Sequence, residues 1–402
     1  MEKRNLFIGM GILIVVLVLF TGVSSYPEEA RGVTGKSVKI GLMADLTGPI
    51  ADVWNPVAHG IKAYFKMIND RGGIHGRKIE YVFEDDRYSI PLALSSFKKL
   101  VYRDKVFNLL GASGVGHTAA IIPLVEKEKI PLIALTAEKR FYYPARKYIF
   151  CPIIWYSDHA KLFVEYVFHD LKLKDPTIVL MYPDAASGKD TRDTIRELVK
   201  AYPVKNYEES VFSMVAVDFT SEIMRLKQLK PDIIYIHGFI VQSGSIVKTA
   251  RRFGLSAPII VSQYACTNET IKIAGEKASD LVGINSFGTW DDDSPGVKEL
   301  RKASLAYDPG VHYQGSNFFQ GWFMAMLFCK GFENAGRDLN RESFANGLEA
   351  MKDFDTQGIC GVVSFGANDH KSIESARFLK ADIGKKLFVP ITGWRVPKKY
   401  DF

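Results

Sequence analysis

The sequence feature with the clearest chemical potential is a glycine-rich segment, Gly111–Thr118 (GASGVGHT). It follows a predicted strand and begins a predicted helix, which is the context in which a glycine-rich loop binds phosphate. It matches the nucleotide-binding pattern G-x-x-x-x-G-K-[ST], except that His117 replaces the lysine that contacts the terminal phosphates. A mostly neutral imidazole is a poor substitute for that cation, so we do not expect a nucleoside triphosphatase.

The same loop suits a carboxylate. Glycines let a ligand approach the backbone, and the N–H groups at a helix N-terminus attract an anion. The hydroxyls of Ser113 and Thr118 add two donors. The simpler interpretation is a tight strand-to-helix turn whose hydroxyls only cap the helix.

Other catalytic and metal-binding patterns are missing from the sequence. It contains no G-x-S-x-G nucleophile motif and no H-E-x-x-H zinc motif. The four cysteines, at positions 151, 266, 329 and 360, form no C-x-x-C pair, so buried thiols are the default expectation. We therefore expect neither a metal nor a cofactor.

The composition indicates a globular protein of two or three domains. The 402 residues are 47% hydrophobic and 24% charged, which excludes a disordered or collagen-like chain. The net charge is +7, from 52 Lys+Arg and 45 Asp+Glu, and no run of five like charges occurs. Nucleic acid is therefore not an expected partner.

Residues 1–25 are typical of an export signal. A short polar start precedes 18 uncharged residues, Leu6–Val23, and compact residues follow up to Ser25. This pattern predicts a signal peptide cleaved before Tyr26. The apolar stretch is longer than a usual signal core and close to the roughly 20 residues that span a bilayer, so an uncleaved anchor is the alternative. Both predictions place the rest of the chain in the periplasm or another extracytoplasmic space.

Strand and helix patterns alternate along the rest of the chain. One set runs from Val38 to Thr136 and a second from Asp158 to Ser262. Such alternation predicts parallel sheets built from right-handed βαβ units, and therefore two doubly wound lobes. Three helices are then predicted, and late strands at Gly358–Phe365, Ala376–Ala381 and Leu387–Trp394. No Gly/Ser/Pro-rich linker separates the lobes, which favours lobes connected by several crossings.

Several segments, in order and spacing, carry a family resemblance. They are Ile40–Pro49, Ile68–Lys78, Glu84–Pro91, Gly111–Thr118, Gln228–Gly238, Arg251–Leu255 and Ile273–Gly283. Together they resemble the type I periplasmic solute-binding proteins of branched-chain amino acid ABC importers, across roughly residues 36–395. The resemblance implies an α/β fold in which two Rossmann-like, doubly wound lobes are joined by three hinge crossings and close on a small ligand.

The resemblance also implies where the lobes divide. The crossings are expected near residues 153–157, 284–290 and 359–364. Lobe 1 then comprises residues 36–153 plus 288–360, and lobe 2 comprises residues 154–287 plus 361–402. Cys151 and Cys360 fall near this hinge, where a disulfide is one outcome and free thiols are the favoured one.

The family places its ligand between the lobes. The ligand carboxylate is expected at the glycine-rich loop, and the next strand adds a second loop; the residues concerned are Ser113, Gly116, His117, Thr118, Thr136, Ala137 and Glu138. In lobe 2 an aromatic and an acidic residue usually hold the α-amino group, and Phe239 and Gln263 stand at those positions. Aromatic residues at expected cleft loops, each also explicable as ordinary packing, are Trp54, Trp155, Tyr264 and Trp290.

Gln263 departs from the family pattern, because a neutral amide cannot neutralise an ammonium group. Removing one partner of a buried charge pair costs roughly 2–5 kcal/mol. Glu138 or Asp184 are the carboxylates that could replace it, so an amino acid ligand stays open. The sequence therefore favours an aromatic or aliphatic carboxylic acid ahead of a branched-chain amino acid.

The resemblance implies a monomeric solute-binding protein whose partners are this ligand and a membrane permease, with no bond broken. Two alternatives remain open. One is a membrane-tethered sensor with the same fold, and the other is an enzyme in which His117 acts as the acid or base.

Overall fold

The computed structural model describes residues 30–310 and 312–400. The predicted signal peptide or anchor, residues 1–25, lies outside the described residues. Among the helices within the described ranges, none is both long enough and apolar enough to cross a bilayer.

The first part of the chain forms a five-stranded sheet. Its elements are β1 (Ser37–Ala44), α1 (Ala51–Asp70), β2 (Lys78–Asp85), α2 (Ile90–Lys98), β3 (Asn108–Gly111), α3 (Val115–Glu128), β4 (Leu132–Ile133) and β5 (Ile149–Phe150). The strand order is β2-β1-β3-β4-β5, and every pair is parallel. The chain places β2 on one side of β1 and then β3, β4 and β5 on the other side, which is the reversal of strand order typical of doubly wound sheets.

The middle of the chain repeats the pattern in a second sheet. Its elements are α4 (Tyr156–Glu165), β6 (Thr177–Pro183), α5 (Ala186–Leu198), β7 (Asn206–Phe212), α6 (Thr220–Leu229), β8 (Ile233–Ile236), α7 (Ile240–Arg252), β9 (Ile259–Val261), α8 (Asn268–Ala274) and β10 (Val282–Asn285). The strands pair in parallel, and β6, β8 and β9 are buried on both faces, which accounts for their nearly continuous apolar sequences; the edge strand β7 is polar and only partly buried.

The next three helices return to the first sheet. They are α9 (Pro295–Tyr307), α10 (Ser316–Ala335) and α11 (Arg341–Glu349). At the start of α11, Arg341 donates to the carbonyls of Val106 and Phe107 beside β3. The chain then re-enters the second sheet as two antiparallel strands, β11 (Arg377–Asp382) and β12 (Leu387–Pro390), which gives the order β12-β11-β10-β9-β8-β6-β7.

The chain thus passes between the sheets three times, after β5, after β10 and before β11. The crossing segments contact one another through bridges of Cys151 with Lys371 and of Phe287 with Cys360. This architecture confirms the predicted fold class of two doubly wound lobes. The residues at which the lobes divide stay a prediction.

The cysteines are all buried free thiols. The Cys151 thiol donates to the Ile153 carbonyl at 3.0 Å, and the Cys360 thiol to the Gly361 carbonyl at 3.3 Å. The disulfide considered for these two residues is therefore not formed. Cys151 pairs with the crossing segment that contains Lys371, and Cys360 pairs with the one that contains Phe287.

Two predictions about secondary structure are wrong. Residues 358–365 form no regular strand, because this stretch makes isolated bridges, at Cys360 and Val363, instead of joining a sheet. Helices α1, α3 and α5 begin at Ala51, Val115 and Ala186, whereas the sequence predicts starts at about Pro56, Thr118 and Lys189. Gly116 in the first turn of α3, and Ser187 with Gly188 in the first turn of α5, disfavour helix, and their position at the sheet edge overrides that preference.

Helices α1 and α10 pack with their backbones in direct contact. A Cβ atom added to Gly60 would lie closer than 3.0 Å to the Phe318 carbonyl, and one added to Gly321 would overlap the Val57 carbonyl. Two glycines facing each other across the helix pair therefore permit this approach. The contact joins α10, which follows the second crossing, to the first sheet.

We predict that Gly321→Ala destabilises the protein by about 1–3 kcal/mol or more, because the added methyl group meets backbone that cannot move aside. The midpoint of urea unfolding measures the change. Gly393→Ala is the matched control, since no atom lies within 4 Å of its added methyl group. Equal midpoints for the two variants would contradict the proposed close packing.

Candidate functional site

A narrow cavity lies between the two sheets. Its walls are formed by Ile50, Val53, Trp54, Tyr88, Ser113, Gly114, Val115, Gly116, Leu135, Tyr156, Ala186, Ser187, Phe239 and Tyr264. Its volume is about 40 Å³, room for a few water molecules at about 10–15 Å³ each. A larger ligand therefore needs the lobes to separate or the wall side chains to move.

Helix N-termini form much of this wall. Helices α1, α3, α5 and α7 follow β1, β3, β6 and β8, and each contributes its N-cap or first-turn residues to the cavity. No side chain caps any of these four helices. The first N–H groups of a helix lack intrahelical partners and carry its positive dipole end, so the cavity favours an anion.

The side chains of the wall are neutral and largely aromatic. The lining includes no Asp, Glu, Lys, Arg or His among the described residues. Tyr264 lies with its ring centroid 5.7 Å from that of Phe239 and 6.2 Å from that of Tyr156. Trp54 and Tyr88 contribute the aromatic surface of the opposite lobe. The cavity therefore combines backbone donors with an apolar enclosure, the arrangement typical of small-molecule sites.

The glycine-rich loop contributes its backbone. The Ser113 hydroxyl donates to the Asp86 carboxylate at 2.5 Å, and the Ser113 carbonyl accepts from the Trp54 indole at 3.3 Å. A Cβ atom on Gly114 would lie 2.9 Å from the Tyr88 hydroxyl oxygen, so glycine is needed there for Tyr88 to reach the wall. Ser113 thus lines the cavity while its hydroxyl positions the loop.

His117 lies behind the wall, not on it. Its ring centroid is 4.7 Å from that of Tyr88. Burial lowers the pKa of His117, although the nearby Asp86 and Asp45 carboxylates act in the opposite direction. Burial also raises the pKa of Asp86. A neutral imidazole in this position supports the loop and does not act as a cation for the ligand.

The residues expected beyond β4 are engaged in internal contacts. The Thr136 hydroxyl lies 3.2 Å from that of Thr118 and 2.9 Å from that of Tyr142. The Ala137 carbonyl accepts from the Tyr156 N–H at 3.2 Å. The Glu138 carboxylate pairs with Arg140 at 3.4 Å. These side chains do not line the cavity.

The lobe 2 candidates divide in the same way. Phe239 and Tyr264 line the cavity. Gln263 is fully buried, its carbonyl accepts from the Ser316 hydroxyl at 3.3 Å, and its amide lies beside His159. Trp290, which falls in lobe 1 by the expected division, packs against Tyr313, with ring centroids 6.3 Å apart.

Two further residues named from the sequence also lie off the wall. Asp184 is exposed and pairs with Lys189 at 2.9 Å. Trp155 lies beneath the Lys371 ammonium, which is 4.7 Å from its ring. Neither residue supplies a charge to the cavity.

The structure therefore brings five of the expected residues to the cavity: Trp54, Ser113, Gly116, Phe239 and Tyr264. The others do not line it: His117, Thr118, Thr136, Ala137, Glu138, Gln263 and Trp290. Sequence reasoning missed Tyr88, Tyr156 and Ser187. Tyr88 and Ser187 follow the ends of β2 and β6, so the rule that ligands bind at the carboxyl ends of parallel strands could have found them.

Comparisons with known proteins agree with this geometry. The family model described as periplasmic binding protein matches residues 37–386. The chain is 21% identical to Leu/Ile/Val-binding protein homolog 3 of Brucella melitensis, over 87% of this chain and 92% of the relative.

Solved structures share the fold. A branched-chain amino acid ABC transporter protein from Thermus thermophilus with bound valine superposes with a TM-score of 0.82 at 22% identity, covering 90% of this chain and 97% of the other. A fatty acid ABC transporter substrate-binding protein from Thermomonospora curvata gives 0.83 at 21% identity, covering 92% and 95%. By the family match over most of its length, the chain is a type I periplasmic binding protein of the branched-chain amino acid transporter family.

Proposed function

We propose that this protein is an extracytoplasmic solute-binding protein of an ABC importer that captures a small carboxylate with an apolar body. The observation that carries this proposal is the meeting of four uncapped helix N-termini in a cavity with neutral, aromatic walls. The N–H groups of these first turns bind the carboxylate, and the aromatic rings cover the apolar body.

Binding and release follow from the two-lobed architecture. The lobes open to admit the ligand and close to bury it, and a membrane permease then recognises the closed form. We place the lobe divisions at residues 153/154, 287/288 and 360/361, within the three crossing segments. Capture from dilute solution requires affinity in the micromolar range or better, about 8 kcal/mol. No bond is broken, and the position of His117 behind the wall supports this non-enzymatic role.

A carboxylic acid suits the cavity better than an amino acid does. An α-ammonium group needs a carboxylate partner, and the wall includes none among its residues. Gln263, at the position where the family holds an acidic residue, is neutral and buried behind Tyr264. The protein from Thermomonospora curvata that shares this fold is named for fatty acids, which supports a ligand of this class.

A branched-chain amino acid is the second candidate. The relatives named for leucine, isoleucine and valine favour it. Two buried carboxylates near the cavity could attract an ammonium group: Asp52 precedes the wall residue Val53, and Asp190 lies one turn after Ser187. Burial raises the pKa of Asp52 to about 6 and that of Asp190 to about 7, and other carboxylates, including Glu269 and Glu138, add to these shifts.

We predict that medium-chain fatty acids or phenyl-substituted acids raise the melting temperature of the purified protein. Their carboxylate matches the backbone N–H donors of the cavity, and their apolar body matches its aromatic walls. Leucine and valine are screened alongside them. Stabilisation by leucine or valine, with none by the acids, would show that an amino acid is the ligand.

Replacing Phe239 by alanine should lower the affinity for the ligand found in this screen about tenfold or more, because one aromatic wall is lost. Titration calorimetry measures the effect. Phe253→Ala is the matched control, since Phe253 caps the opposite end of α7, away from the cavity. If both variants bind as the native protein does, the ligand lies elsewhere.

The pH dependence of affinity separates the two ligand classes. As the pH falls from 8 to 5.5, Asp190 and then Asp52 take up protons, because their pKa values are raised to about 7 and about 6. Negative charge beside the cavity is lost, so a carboxylate ligand, still ionised, binds more tightly. An ammonium-bearing ligand would bind more weakly over the same range.

Asp190→Asn tests this explanation directly. At pH 8 it should raise the affinity for a carboxylate about threefold to tenfold and flatten the upper part of the pH profile. Glu197→Gln, an exposed position two turns from Asp190 on the same helix and not among the carboxylates that raise its pKa, is the control. A native profile that does not change between pH 8 and 5.5 would overturn the electrostatic explanation.

A further inference from the structure

The turn after β2 holds Tyr88 in an uncommon backbone conformation. Arg87 and Tyr88 have φ angles of 48° and 56°, and no other two consecutive non-glycine residues share left-handed φ angles within residues 30–310 and 312–400. A residue with a Cβ atom rarely adopts this conformation, and residues that do so tend to gather at ligand-binding sites. The backbone of this turn is therefore a first indication that Tyr88 has a functional role.

Two carboxylates and a neighbouring loop hold the turn in place. The Asp85 carboxylate accepts from the Arg87 N–H at 3.1 Å. The Asp86 carboxylate accepts from the Tyr88 N–H at 3.0 Å. A Cβ atom on Gly48 would lie 2.9 Å from the Arg87 carbonyl oxygen, so the loop after β1 packs directly against the turn. These contacts fix the direction in which the Tyr88 side chain leaves the backbone.

The Tyr88 side chain reaches the start of α3. Its ring centroid is 4.7 Å from that of His117, and its hydroxyl oxygen is 2.9 Å from the position that a Cβ atom on Gly114 would take. Gly114 is the N-cap residue of α3, and no side chain caps this helix. The hydroxyl therefore lies beside the helix end whose N–H groups attract an anion.

The Tyr88 hydroxyl is available to a ligand. Tyr88 lines the cavity, and its hydroxyl has no hydrogen-bond partner among the residues that the structure describes. Burial raises the pKa of Tyr88 to about 12, and the carboxylates of Asp45 and Asp86 add to this rise. The hydroxyl therefore keeps its proton at neutral pH and can donate a hydrogen bond. The Ser113 hydroxyl, by contrast, already donates to Asp86 at 2.5 Å.

We propose that Tyr88 is a specificity-determining residue whose hydroxyl donates to the ligand carboxylate at the N-terminus of α3. The proposal rests on one part of the proposed function, that the ligand carries a carboxylate. A hydrogen bond to a charged group is stronger than one to a neutral group, so this contact favours an acid over the corresponding amide. The protein then selects a carboxylate with neutral donors alone, because its cavity wall has no cationic side chain among the described residues.

The test compares each acid with its amide. Titration calorimetry of the purified protein measures the affinities for three pairs: octanoate and octanamide, phenylacetate and phenylacetamide, and leucine and leucinamide. In the pair that binds, Tyr88→Phe should weaken the acid about tenfold or more and the amide much less, because only the acid loses a charge-assisted bond. A general disturbance of the cavity would weaken both members equally. Tyr81→Phe is the matched control, since Tyr81 lies in β2, the strand that leads to this turn, and is exposed outside the cavity.

A second variant disturbs the same contact without removing the hydroxyl. Gly114→Ala adds a methyl group that presses on the Tyr88 hydroxyl, while the φ angle of −167° at Gly114 suits any residue. It should also weaken the acid. Because both changes break one contact, Gly114→Ala combined with Tyr88→Phe should bind the acid about as Tyr88→Phe alone does.

Three results would overturn the proposal while leaving the proposed function intact. They are native affinity for the acid in Tyr88→Phe, equal losses for the acid and its amide, and additive effects of the two substitutions. Ser187 offers the competing arrangement, because its hydroxyl lies in the first turn of α5 on the same cavity wall. A change in acid-to-amide preference in Ser187→Ala and none in Tyr88→Phe would place the carboxylate there. If the native protein binds none of the six compounds, the proposed function itself fails, and this proposal fails with it.

Discussion

Parallel pairing of the central strands is the constraint on which the rest of this structure depends. When neighbouring strands run in the same direction, each must be followed by a crossover, and here the crossovers are helices that begin at one edge of the sheet. Two such sheets face each other through that edge, β1 and β3 from one lobe and β6 and β8 from the other. A cavity surrounded by helix N-termini follows from this arrangement before any side chain is considered.

The side chains then decide how that electropositive backbone is used. Polar groups beside the cavity satisfy each other, as Ser113 does with Asp86 and Thr118 with Thr136. The wall is left to aromatic rings and to the N–H groups of the first helical turns. Carboxylates surround the cavity without lining it, and burial keeps the pKa values of Asp52 and Asp190 high enough to respond near neutral pH.

The same architecture separates the two ends of lobe 1. The strands carry their carboxyl ends to the cavity and their amino ends to the opposite end of the lobe, where α2 and α3 have Lys98 and Lys127 in their last turns. Positive side chains at helix C-termini complement the negative end of the helix dipole. The helix dipole therefore favours an anion at the cavity end of lobe 1 and basic side chains at the other end.

The sequence determined the α/β class, the alternation of elements and the glycine-rich loop, because apolar periodicity and turn residues are local signals. It also located Trp54, Phe239 and Tyr264, which stand directly after or near strand ends. Only the tertiary structure decided which polar residues reach the cavity. Thr136 and Gln263 lie in the expected loops, yet each turns inward to satisfy buried partners or pack in the lobe. Side-chain direction in a loop depends on neighbours that are distant in sequence, and no local pattern records them.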